Sequence, residues 1–279
     1  MKRITKLIVS ALFAAVSGFW EMVLGLFGRR PGKCVILYYH SVPLSQRRAF
    51  ARQMDVLLSC SEPLAADNRS PMPSGKRYAA VTFDDAFRNI LSSALPELKA
   101  RKIPSTIFVA PGLLGRTWHD DSAQSAADRE IMSEEELKGI EPKLVRIGSH
   151  SFSHPSMVHL TPSEAKTELI ESCQALQRLL DCPVTLFSFP YGAFNRNLVE
   201  WAREAGYERV FTVLPYLAFS DPAEFVSPRV RVDPTDWEIE FRLKLYGAYR
   251  WLPAAFAIKR TLFSKRLDTV MRQRASAGE

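Results

Sequence analysis

Cysteine is sparse and unpatterned in this chain. The 279 residues hold 4 cysteines, and Cys34, Cys60, Cys173 and Cys182 form no CxxC pair. Neither a cysteine-ligated zinc site nor a disulfide framework is implied. Histidine is also scarce, with 5 residues and none after His159. The net charge is +7, but no basic strand is interleaved with aromatics, so nucleic acid is not an expected partner. The basic residues instead gather at the two ends: Lys2, Arg3, Lys6, Arg29, Arg30 and Lys33, then Lys259, Arg260, Lys265, Arg266, Arg272 and Arg274. That distribution suits anionic lipid headgroups. Core material is not lacking, because 47% of the residues are hydrophobic and 11% aromatic. Disorder is excluded as the general state, and one large domain or two small ones can form.

Ile4 to Gly28 is almost wholly apolar, interrupted by Glu21 and flanked by basic residues. It is long enough to span a bilayer and lacks a small-residue cleavage site after its apolar core, which predicts an uncleaved anchor. A helix lying in the membrane surface is the alternative, since Glu21 is costly at the bilayer centre and tolerable near an interface. Basic residues on both flanks leave the orientation open, with the extracytoplasmic face favoured.

Strand-like apolar runs then alternate with helical patterns. Strands are predicted at 34–39, 78–83, 105–109, 144–148, 184–189, 209–214 and 226–232, with helices between them. Ser133-Glu134-Glu135-Glu136 and Thr161-Pro162-Ser163-Glu164 read as helix-opening capping boxes. Such alternation predicts a parallel sheet, closed into a barrel, whose strand ends converge on one rim. The 113–130 stretch has little periodicity and reads as a solvated loop carrying Trp118, His119, Asp120 and Asp121.

Polar residues end several of these runs. Val81-Thr82-Phe83 stops at Asp84-Asp85, which closes the strand as an Asx turn or forms a carboxylate pair that a cation or proton must accompany. His40 follows Cys34–Tyr39, either as a satisfied hydrogen-bonding residue or as a catalytic one. His150 and His154 stand four apart in a turn after the fourth strand. With Asp85 they would form a two-histidine, one-carboxylate set with positions left for water and substrate. His159, between Met157 and Leu160, reads as a surface residue.

Thr82-Phe83-Asp84-Asp85, His150-Ser151-Phe152-Ser153-His154 and Phe189-Pro190-Tyr191-Gly192 resemble, in order, the motifs of polysaccharide deacetylases of the NodB-homology type, carbohydrate esterase family four. The resemblance covers residues 34–240 and implies an α/β fold, a distorted seven-stranded (β/α) barrel. It implies Asp84 as general base, and Asp85, His150 and His154 as ligands of a divalent metal, Zn²⁺ ahead of Co²⁺ or Ni²⁺. The Tyr191 backbone N–H would stabilise the oxyanion beside Pro190. The family's usual Arg before the third motif is absent, so Arg229 or Arg231 is expected to orient Asp84. Its late histidine is absent too. Tyr39-His40-Ser41-Val42 resembles instead the subgroup acting on poly-N-acetylglucosamine, in which an N-terminal histidine is the acid, and His40 is expected in that role. Asp233, Asp236 and Trp237 resemble a fourth motif; Trp237 is either a sugar-stacking wall or a core aromatic beside a helix cap.

The expected organisation is a membrane anchor or interfacial helix over 1–30, the deacetylase barrel over 34–240 and a basic amphipathic helical segment over 241–279. That last segment either rests on a membrane or closes the barrel with a frayed tail. The implied activity is metal-dependent removal of N-acetyl groups from an N-acetylhexosamine glycan or a lipid-linked precursor, with O-acetyl ester cleavage as a near relative. A membrane-tethered, inactive glycan-binding or assembly protein is the alternative. Membrane lipid is an expected partner, and an obligate protein partner is not.

Overall fold

The computed structural model describes residues 3–27, 31–118, 127–221 and 223–258. Arg29, Arg30, His119, Asp120, Asp121 and the basic residues from Lys259 to Arg274 lie outside them. An apolar helix, α1 (Arg3–Leu26), precedes β1 (Lys33–Tyr39), α2 (Arg47–Cys60), β2 (Glu62–Pro63), β3 (Arg77–Phe83), α3 (Asn89–Ala100) and β4 (Ser105–Val109). There follow α4 (Glu134–Lys138), β5 (Val145–Ser149), α5 (Pro162–Leu180), β6 (Leu186–Ser188), α6 (Arg196–Glu204), β7 (Arg209–Phe211), β8 (Val226–Ser227), β9 (Val230–Arg231) and α7 (Glu238–Leu245).

All the strand pairings are parallel, in the order β8-β7-β6-β5-β4-β3-β1-β9, with β2 added beside the start of β3. Cys34–Tyr39 and Tyr78–Phe83 are buried at every position. Such continuous apolar runs are what a parallel strand covered on both faces requires. Both predicted capping boxes form, Ser133 with Glu136 and Thr161 with Glu164. Parallel strands bring all their C-terminal ends to one rim, and the residues after β1, β3, β5 and β6 meet there.

The predicted seventh strand, 226–232, is broken in two. Val226 and Ser227 pair with β7, whereas Val230 and Arg231 pair with β1. Pro228 has no N–H to give a ladder, and Arg229 turns its side chain entirely inward, at 0% exposure. The chain itself, rather than a continuous ladder, therefore bridges the first and last strands, and the barrel is distorted at this point.

Helix α7 is part of the barrel wall, which therefore extends past residue 240. Phe241, Leu243, Leu245 and Tyr249 are buried in the main core with Phe50, Met54 and Leu57 of α2. The first half of helix α1 lies against this wall, and Glu21 in its second half ties it to the starts of β1 and β3. Arg3 Nε donates to Glu240 at 2.8 Å, Trp251 Nε1 donates to Ser10 at 3.0 Å, and Glu21 pairs with Lys33 at 2.5 Å and Arg77 at 3.0 Å. Leu7 and Ala14 face the core. The opposite stripe, Ile4, Ile8, Leu12, Val16 and Trp20, is more than half exposed. The i, i+4 spacing of that stripe makes one continuous apolar face.

Candidate active site

Asp84 continues the β3 direction: its N–H donates to the Tyr39 carbonyl at 2.9 Å. Asp85 then adopts φ 67° and Ala86 φ 52°. The left-handed turn brings the second carboxylate to the same cleft as the first, which an extended strand would not do. Each such non-glycine residue costs roughly 1 kcal/mol, and Ser151, His154 and Tyr191 share the conformation. Strain is thus concentrated around the rim.

Arg229 holds Asp84. Its Nη1 donates to Asp84 Oδ1 at 2.7 Å and Thr82 Oγ1 at 3.1 Å. Its Nη2 donates to Asp84 Oδ2 at 2.9 Å and Ser188 Oγ at 2.6 Å, and Nε donates to the Thr212 carbonyl at 3.2 Å. All the donors of the fork are used, which is what allows a guanidinium to be buried. The rings of Tyr38 and Phe108 lie 4.8 and 5.2 Å from it. Burial pushes the Asp84 pKa up, but Arg229, His150 and His40 together hold it below the usual carboxylate value. Asp84 is therefore an anion fixed in orientation.

Beside it, Asp85, His150 and His154 bring their ligand atoms within 4.8 Å of one another. Asp85 Oδ1 lies 3.2 Å from His154 Nε2 and 3.5 Å from His150 Nε2. The His150 Nδ1 lies 2.7 Å from the Ser188 carbonyl, a contact that assigns the proton to Nδ1 and leaves Nε2 as a lone pair. Asp85 Oδ1 is buried without a hydrogen-bond partner among the described residues. Burial lowers the His150 pKa to about 4 despite the pull of Asp84 and Asp85, so its ring is neutral near pH 7. Burial raises the Asp85 pKa, and the adjacent His154 imidazole with the charges of His150 and His40 outweighs it, leaving about 2. A carboxylate and a bare imidazole nitrogen face one another with no proton between them, so this donor set fits a divalent cation.

The ligand loop is tied down from α5. The N–H groups of Phe152 and Ser153 donate to Glu168 Oε2 at 2.7 and 2.8 Å, and Ser153 Oγ donates to Oε1 at 2.5 Å. His154 N–H donates to Ser151 Oγ at 3.0 Å. Its ring sits edge-on to Trp118, His150 and Tyr191, with centroids 4.8, 4.8 and 4.9 Å away.

These groups line a cleft of about 580 Å³ that also contains His40, Tyr191 and Arg231. His40 Nε2 stands 4.0 Å from Asp85 Oδ2, and its side chain is 39% exposed. Of the two arginines considered for Asp84, Arg229 makes the contact, and Arg231 lines the cleft without reaching it. Pro190 is buried at the start of the turn whose next residue, Tyr191, has φ 59°. Trp237 is not among the cleft residues; the Arg3 guanidinium covers its ring at 4.4 Å. Its place is taken by Trp118, which the sequence assigns to a solvated loop and which packs at 6.3 Å on Phe87. A large aromatic in an otherwise polar loop at the catalytic rim was the available sign. His159 is exposed, as expected of it.

Residues 72–210 match the family model of polysaccharide deacetylases. YxkH of Bacillus subtilis, assigned as a polysaccharide deacetylase, is 26% identical over 217 residues, 74% of this chain and 73% of that protein. The poly-beta-1,6-N-acetyl-D-glucosamine N-deacetylase of Staphylococcus aureus is 22% identical over 176 residues, covering 58% of this chain and 57% of its own. Among solved structures, IcaB of Ammonifex degensii superposes with a TM-score of 0.64 at 26% identity, over 77% of this chain and 98% of that one.

Proposed function

Because the chain belongs to the polysaccharide deacetylase family, in its poly-N-acetylglucosamine deacetylase-like branch, we propose that it hydrolyses the N-acetyl amide of N-acetylhexosamine units in a glycan presented at a membrane surface. The observation that carries this reading is the pairing of Asp84 with the fully buried Arg229 beside the Asp85, His150 and His154 cluster. No arginine stands directly before Phe189, and the guanidinium reaches Asp84 from Arg229 instead.

In this reading Asp85, His150 and His154 hold a divalent cation, Zn²⁺ first. Such an ion supplies Lewis acidity at the acetyl carbonyl and makes water easier to deprotonate. Asp84, kept anionic and fixed by Arg229, takes a proton from the water as its oxygen bonds to the acetyl carbon. The Tyr191 N–H donates to the carbonyl oxygen as negative charge grows there. His40, across the cleft, gives a proton to the amine nitrogen as the C–N bond breaks, and acetate and a free amino sugar leave. Trp118 is assigned to the sugar.

The exposed apolar stripe of α1 rests in the interfacial layer of a membrane in this proposal. Docking at Arg3, Ser10 and Glu21 favours this placement over a bilayer-spanning one, because a helix held along the barrel at both ends cannot also cross the bilayer. The extracytoplasmic face is the proposed side. Acetate release from N-acetylglucosamine oligomers by the Zn²⁺-loaded full chain tests the enzyme. Asp84→Asn, His40→Ala and His154→Ala should each lower the rate by about 10²-fold or more, and His154→Ala should also lower the metal content of the purified protein. Wild-type rates in all these variants would sink the assignment.

A further inference from the structure

A second cavity, of about 640 Å³, adjoins the cleft. Val213 and Arg231 line both. Away from that shared wall it becomes apolar, bounded by Leu214, Val230, Leu252, Phe256 and Ala257, with Lys6 of α1 at its edge. Glu240 and Lys244 also border it, and they neutralise each other at 3.5 Å while Glu240 accepts from Arg3 and Lys244 pairs with Asp236 at 2.6 Å. Lys6 and Arg231 have no carboxylate partner among the described residues. The cavity is therefore apolar inside, with two uncompensated cations, one of them at the passage to the cleft.

Its outer wall is continuous with exposed apolar surface. Residues 252–258 are helical, and Phe256 and Ile258 are 56% and 61% exposed. Ile4 and Ile8, within a turn of Lys6, are 59% and 55% exposed. A water-soluble glycan has no use for such a pocket. Apolar walls, cations at the sugar side and continuity with a lipid-facing helix match one class of ligand, a long-chain lipid phosphate.

We propose that this cavity binds the lipid phosphate of a lipid-linked N-acetylhexosamine, the chain among Leu252, Phe256 and Leu214, the phosphate between Lys6 and Arg231, and the sugar in the adjoining cleft. This names the substrate class of the deacetylase reading and rests on it, but the binding step can be measured by itself. The geometry also orders the reactions: deacetylation would follow transfer of the sugar to its lipid carrier and precede transfer of the sugar off it.

The test is calorimetric titration of the full chain with farnesyl phosphate, farnesol and inorganic phosphate, below the concentration at which the lipids form micelles. Farnesyl phosphate should bind about tenfold or more tighter than either of the others. Phe256→Asp and Lys6→Glu, which alter only the second cavity, should each weaken it by about tenfold. Their melting temperatures and their acetate release from soluble N-acetylglucosamine oligomers should match the wild type. Equal binding of farnesol or of phosphate would overturn the proposal, as would binding unaffected by both variants. Farnesyl phosphate binding of the expected pattern with no acetate release from any substrate would uphold the lipid site and overturn the deacetylase reading instead.

Discussion

Replacing Arg229 by methionine keeps most of the side-chain volume and removes every donor from around Asp84. In the native protein Asp84 is 3% exposed and accepts a bond on each oxygen from the same guanidinium, at 2.7 and 2.9 Å. Without Arg229 the carboxylate stays buried and loses its partner, a change that typically costs about 3–5 kcal/mol. For a domain of this size that is a fall in melting temperature of roughly 6–20 °C. The sign of the pH dependence follows from the causes of the shift. Burial acts to raise the Asp84 pKa, and Arg229 is the first of the groups that pull it below normal. In the wild type the contribution of Asp84 to stability is complete above the unfolded value, about 3.9, and is lost as pH falls through the lower folded pKa. In Arg229→Met only the burial and the weaker partners remain, so the folded pKa moves up. The group's contribution is then retained at low pH and lost as pH rises through that pKa. The destabilisation of the variant is therefore largest near pH 7 and shrinks toward pH 4.

Urea unfolding of the chelator-treated wild type, Arg229→Met, Asp84→Asn and the double variant, at pH 7 and pH 4, measures this directly. The double variant should recover a large part of the loss, because a neutral amide without Arg229 is far cheaper to bury than a carboxylate. An Arg229→Met stability within about 1 kcal/mol of wild type, or a double variant no better than Arg229→Met alone, would refute the reasoning.

Glu168→Ala removes the acceptor of two N–H groups and one hydroxyl in the ligand loop. It should cost about 1–3 kcal/mol in thermal unfolding and weaken metal binding by roughly 10–100-fold in a competitive chelator titration. Gly192→Ala places a Cβ 2.1 Å from a methyl of Val213 at φ +66°. Overpacking and the left-handed backbone together should cost about 2–4 kcal/mol, and adding Val213→Ala should recover the packing share but not the backbone share. Trp118→Ala should raise KM for N-acetylglucosamine oligomers by roughly 2–10-fold with little change in kcat, if the ring serves the sugar. A fall in kcat alone would place its effect on His154, whose ring it touches.

Much of the site is readable before any coordinates. Asp84 and Asp85 end one apolar run, His40 ends another, and His150 with His154 follow a third, so parallel pairing alone brings them to one rim. Local chemistry determines these features: continuous apolar strands, capping boxes and turns depend on residues near in sequence. The same locality explains what the sequence leaves open. The two arginines after Pro228 stand two apart, and only the break of the last strand between two partners turns Arg229 inward to Asp84 while Arg231 stays at the cleft wall. Trp118 rather than Trp237 meets the cleft, because Arg3, far away in the chain, covers Trp237, and the loop after β4 folds Trp118 onto His154. Glu168, Ser188 and Thr82 acquire their partners only across helices and strands. By itself, then, the sequence determined the alternating α/β pattern, the reactive residues at the strand ends and the apolar first helix. The tertiary structure alone decided which arginine orients Asp84, which tryptophan meets the cleft, and that the first helix lies along the barrel with its apolar stripe outward. Those are long-range contacts, and no local preference of the chain specifies them.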